Sequence, residues 1–85
     1  MTYPLLEKIA EKLCYTDLGY QRINKKLKLD YSRNEIESLL QKNILSATRI
    51  LHKGKNYYIY NYSKNIRVTV NANNYRVITV DRLKL

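Results

Sequence analysis

Tyrosines and cationic residues are interleaved through the second half of this sequence, and that mixture suits one chemistry in particular. Tyr57, Tyr58, Tyr60 and Tyr62 fall close together in a chain with nine Tyr and no Phe or Trp. Aromatic faces stack on unpaired bases while neighbouring Lys and Arg hold the phosphates between them. Period two puts Tyr58, Tyr60 and Tyr62 on one face of a strand. The pattern alone leaves open whether that face meets solvent or forms the core. The expected nucleic-acid-binding residues are Lys53, Lys55, Tyr58, Tyr60, Arg67 and Arg76.

The same region holds a candidate ribonuclease set. Metal-independent RNA cleavage needs a base, an acid and cations for the developing phosphorane charge. His52, the single histidine, stands beside Lys53 and Lys55. Arg67, Thr69, Arg76 and Thr79 fall on the last two expected strands. The other reading of His52 is a solvated turn residue. One His and scattered carboxylates make no metal-ligand cluster, and no cofactor is expected. Gly19 and Gly54 are the only glycines, so no glycine-rich loop can cradle phosphates. Cys14 is the single cysteine, which excludes an intrachain disulfide. Its apolar neighbours predict a small buried side chain.

Charge points the same way. The formal charge is +9, from 16 Lys and Arg against 7 Asp and Glu. Residues 1–43 hold 8 basic and 6 acidic residues, whereas residues 44–85 hold 8 basic residues and one acid, Asp81. A field of this sign attracts polyanions, although basic residues also keep a small domain soluble. No stretch reads as a basic helix with a bulky apolar face for a membrane surface, and none approaches a membrane span. Glu7, Lys8, Glu11 and Lys12 interrupt the N-terminal apolar residues, so no signal peptide is expected there. The expected location is cytoplasmic, with no membrane partner.

The elements that must position these residues belong to one domain, 1–85, with a helical part (1–44) and a basic antiparallel sheet (45–85). Tyr3-Pro4-Leu5-Leu6 opens a first helix with Pro4 in its first turn. Its apolar stripe is Leu5, Leu6, Ile9, Ala10 and Leu13. Thr16 or Asp17 caps a second helix with Leu18, Ile23 and Leu27 as its apolar positions. Ser32-Arg33-Asn34-Glu35 is a capping box ahead of Ile36, Leu39, Leu40 and Ile44. The period then changes. Thr48 to Leu51, Tyr57 to Tyr62, Ile66 to Val70 and Tyr75 to Asp81 read as strands, broken by turns at Gly54, Ser63–Asn65 and Asn71–Asn74. Ile66, Val68 and Val70 point inward, with Arg67 and Thr69 on the other face. The expected class is α+β, three N-terminal helices followed by a three- or four-stranded antiparallel sheet.

The second and third helices also have helix-turn-helix spacing, with the Lys53-Gly54-Lys55 turn as a wing. In that winged-helix-like reading Arg33, Asn34 and Glu37 would reach bases in a major groove. Ordinary helix packing meets the same spacing.

Cys14-Tyr15-Thr16, Arg22-Ile23-Asn24-Lys25-Lys26-Leu27, Lys53-Gly54-Lys55-Asn56-Tyr57-Tyr58 and Arg76-Val77-Ile78-Thr79-Val80-Asp81 together resemble the bacterial domain-of-unknown-function 3781 family, over nearly the whole chain. The resemblance implies a small bacterial or mobile-element protein and assigns no activity. Lys64 to Val70, a loop, and Tyr75 to Thr79 are similar to the closing strands of RelE-like and colicin-like ribonuclease toxins. That similarity implies that Arg67, Thr69, Arg76 and Thr79 lie near RNA. The leading expectation is a nucleic-acid-binding module, with RNA or single-stranded DNA favoured. A ribonuclease toxin is one alternative. Another is a phage or mobile-element inhibitor of an acidic protein partner, such as an antitoxin or host factor.

Overall fold

The computed structural model describes residues 4–83. Three helices, α1 (Pro4–Lys12), α2 (Asp17–Leu27) and α3 (Arg33–Leu45), precede four strands. The strands are β1 (Arg49–Lys53), β2 (Asn56–Asn61), β3 (Ile66–Asn71) and β4 (Val77–Arg82). They form one antiparallel meander in the order β1-β2-β3-β4. The α+β class is as the pattern predicts, with the sheet at four strands. Tyr3 lies outside the described residues.

Helix boundaries follow side-chain chemistry. The Thr16 hydroxyl accepts the Gly19 N–H at 3.0 Å and starts α2. Lys28 ends it in the left-handed region at φ 56°, where its N–H reaches the carbonyls of Asn24 and Lys25. The Ser32–Glu35 capping box is complete, at 3.2 Å and 3.0 Å. At its other end α3 is closed from the sheet. Buried Asn61 on β2 donates to the Asn43 carbonyl at 3.1 Å and to the Ser46 hydroxyl at 3.0 Å.

The core is aliphatic. Leu6, Ile9, Ile23, Leu27, Ile36, Leu40 and Ile44 from the helices meet Ile59, Ile66, Val68, Val70, Val77 and Val80 from the sheet. α3 packs on α1 and on β2 and β3, while α2 packs chiefly on β4. Two expected core residues are outside it: Leu18 is 61% exposed, and Leu5 is also exposed. At about 100° per residue Leu18 sits roughly 140° around α2 from Ile23. Leu5 stands at the margin of its stripe.

Each sheet connection has a local cause. Lys53 pairs with Asn56, so Gly54 and Lys55 form a two-residue turn. Gly54 adopts φ 58° and Lys55 does not share the positive φ, the pattern of a type II′ hairpin. In the last connection the Asn71 side chain accepts the N–H groups of Asn73 and Asn74, at 2.8 and 3.1 Å. That turn leaves Tyr75 at φ 59°, so the last strand begins at Val77 rather than at Tyr75. A bulge between Thr69 and Val70 sets Ile78 outside the pairing.

Cys14 departs from its expected burial: it is exposed. Its backbone pairs in parallel with Arg76, with Cys14 N–H on the Tyr75 carbonyl and Val77 N–H on the Cys14 carbonyl, both at 3.0 Å. The residue serves as a strip of strand along β4, and its side chain is left facing out.

Candidate nucleic-acid interface

Strand register decides which residues share the open side of the sheet. Ile50, Ile59, Val68 and Val80 stand in one row across the four strands and face the helices. The adjacent row, Arg49, Tyr60, Arg67 and Asp81, therefore faces away. Leu51, Tyr58, Thr69 and Thr79 form the next outward row. The tyrosine face left undecided by the pattern is thus the solvent face, because Ile59 and Asn61 take the core side of β2.

Leu51, Lys53, Tyr58, Tyr60 and Arg67 line a shallow hollow of about 260 Å³ on this face. Four of the six expected binding residues meet there. The Tyr62 ring extends the surface, 5.8 Å from that of Tyr60, and the Arg67 guanidinium stands 6.0 Å from the Tyr60 ring centre. Arg67 Nη2 donates to Asp81 at 3.3 Å, and Lys26 reaches round from α2 to the same carboxylate at 3.0 Å. Burial alone would raise the Asp81 pKa, but the hydrogen bonds from Lys26 and Arg67 outweigh it and hold the carboxyl below its ordinary value. Among the described residues Arg67 Nε is buried without a hydrogen-bond partner.

The remaining expected residues are dispersed. Lys55 is exposed in the hairpin turn. Arg76 lines a different cleft, with Thr16, Gly19 and Arg22. Thr69 and Thr79 pair on the open face, but Thr69 is almost fully covered by its neighbours. His52 pairs with Tyr57 on the helix-facing side at the sheet edge, their ring centres 4.7 Å apart. The sheet stands between His52 and the pair Arg67 and Thr69, so the five expected catalytic residues do not converge on one phosphate. Among the described residues no group of three His, Cys, Asp or Glu could hold a metal ion.

The start of α3 is also occupied. Arg33 pairs with Asp17 at 2.8 Å and lies 4.7 Å over the Tyr20 ring. Glu37 accepts the Tyr20 hydroxyl at 2.6 Å. Of the three expected base readers, two are held against α2, and Asn34 is exposed.

Leu51, Arg49 and Asp81 belong to the open face without having been anticipated there. The signal was present in the turn. A two-residue hairpin at Gly54-Lys55 sets Leu51 opposite Tyr58 and Arg49 opposite Tyr60.

The model of the family described as "Protein of unknown function (DUF3781)" matches residues 7–81. The chain belongs to the DUF3781 family. All five residues of the open-face hollow fall within the DUF3781 match, as do Arg22 and Arg76. No curated protein and no solved structure was found to match the chain. Among the described residues no helix is long and apolar enough to cross a membrane.

Proposed function

We propose that this protein binds single-stranded nucleic acid, with RNA or single-stranded DNA on the open face of its sheet. The observation that carries the reading is the placement of Tyr58 and Tyr60 on the solvent side, sharing one hollow with Lys53 and Arg67. A volume of about 260 Å³ lies below the roughly 300–1,000 Å³ of drug-sized ligand sites, a scale suited to a single base. In that arrangement a base stacks on the tyrosine rings. Lys53 and Arg67, with Arg49 on the same face, hold the adjoining phosphates. Stacking needs an accessible π-face, which a duplex interior does not offer, so a single strand is favoured.

The test is fluorescence anisotropy with a labelled single-stranded RNA oligomer and its DNA counterpart. Stacking contributes about 1–3 kcal/mol per base. The Tyr58→Ala, Tyr60→Ala double variant should therefore weaken binding by roughly tenfold or more. Replacing Lys53 and Arg67 by Gln should flatten the salt dependence by about 1.4, at about 0.7 per phosphate contact on single strands. Unchanged affinity in the tyrosine double variant would sink the proposal. The reaction mixtures also report on the ribonuclease alternative, through intact or cleaved RNA on a denaturing gel.

A further inference from the structure

A second group of cations lies apart from the open-face hollow. Arg22 on α2 and Arg76, just ahead of β4, border one cleft of about 220 Å³ with Thr16, Gly19, Val77 and Ile78. Arg22 also borders an adjoining hollow with Lys25 and Lys26. Lys26 is paired to Asp81, and the nearby Asp17 is paired to Arg33. No carboxylate of the described residues lines either hollow. Among the described residues neither the Arg22 nor the Arg76 guanidinium has an ion-pair partner. Two uncompensated guanidinium groups bordering one concave surface create a positive potential that a flat, solvated lysine face does not.

The backbone beneath Arg76 is held on every side. Cys14 pairs with Tyr75 and Val77 at 3.0 Å, the Arg76 N–H reaches Asn74 Oδ1 at 2.9 Å, and its carbonyl accepts the Asn71 N–H at 2.9 Å. Position 76 is thereby fixed beside the first turns of α2, more than fifty residues away in sequence. The side chains can still rotate, but their anchors cannot move apart. Guanidinium groups bind phosphate oxygens through paired N–H donors.

We propose that the Arg22–Arg76 cleft is a second anion site, and that it takes a phosphate group. The site does not depend on base stacking at the open face, so either reading can fail alone. The phosphate can come from a nucleic-acid backbone or from a free phosphate compound. Pyrophosphate titrated into 15N-labelled protein tests the shared chemistry. The expected result is a saturable shift of the Gly19, Val77 and Ile78 amides and of the Arg22 and Arg76 side-chain N–H signals. In the Arg22→Gln, Arg76→Gln double variant the affinity should fall by about tenfold or more, as loss of charge-assisted hydrogen bonds implies. Unshifted signals elsewhere in that variant would show that it folds. A parallel titration with a single-stranded RNA oligomer separates the sources. Shifts at the same signals point to a backbone phosphate, and their restriction to pyrophosphate points to a free compound. Absence of a shift with both probes overturns the site, as does a non-saturating shift spread over all basic residues or one that survives in the double variant.

Discussion

Asp81 is the single acid in the second half of the chain, and it grips two cations, Arg67 from that half and Lys26 from α2. Its lowered pKa fixes the sign of a pH effect. A carboxyl whose folded pKa lies below its unfolded one contributes stability above the unfolded value, about 4, and loses it as pH falls through the lowered folded value. Urea denaturation at pH 7 and pH 3 should show that Asp81→Asn lacks this part of the acid loss. The same substitution frees Arg67 beside the hollow, so affinity for single-stranded RNA should rise, by up to about fivefold for a surface pair. Tyr20 gives the opposite sign. Its hydrogen bond to the Glu37 carboxylate, with burial second, pushes the phenol up from 10.0 to about 12. The associated stability is complete below pH 10 and lost as pH rises toward 12. Glu37→Gln should return the Tyr20 ionisation toward its ordinary range, read from the ring carbon shift by NMR. The types of these residues were visible in the sequence, but their pairings were not. Asp81 and Lys26 are 55 residues apart, and no local pattern connects them.

Elements were legible wherever one turn of chain carries its own code. The Ser32–Glu35 box is four residues long, and it starts α3 where expected. Ser32→Ala should cost about 1 kcal/mol, measured by thermal or urea unfolding. Gly54 is similar: its φ of 58° with open space around it means that Gly54→Ala meets no clash. The left-handed backbone alone should cost about 1–2 kcal/mol. The closure of α3 by Asn61 was not legible, because the acceptors at Asn43 and Ser46 lie 18 and 15 residues earlier. An Asn between Tyr60 and Tyr62 reads as one more outward polar residue until the strand is laid on the helix. Asn61→Ala should cost roughly 1–3 kcal/mol, since it leaves buried carbonyls without a donor. The start of β4 escaped for a related reason. Tyr75 and Arg76 have β-prone neighbours, but the Asn71 side chain turns the chain through them first.

At the scale of the whole molecule, the split of cations between two surfaces depends on tertiary pairing. Charge counting located the excess in the second half, and the open face collects Lys53 and Arg67 from it. The count could not separate Arg76, because its position is set by Cys14, far away in the chain. The helical part is joined to the sheet at the far end as well: α2 rests on β4, with Arg82 Nη2 on the Leu27 carbonyl at 2.9 Å. A chain ending at Asn74 would lose Val77 and Val80 from the core and expose Ile23 and Leu27. At about 1.5–3 kcal/mol for each of four side chains, that is roughly 6–12 kcal/mol, against about 5–15 for a whole domain. Such a truncation should show no cooperative unfolding transition by circular dichroism. The seam between residue 14 and β4 also constrains the order in which the protein is made. Helices α1 to α3 leave the ribosome first, and the hairpins can zip as each strand emerges. The docking site for α2 does not exist until β4 has cleared the exit tunnel. Until then Ile23 and Leu27 lack their cover from β4, so a pause in translation before β4 emerges would leave the apolar face of α2 open to chaperones.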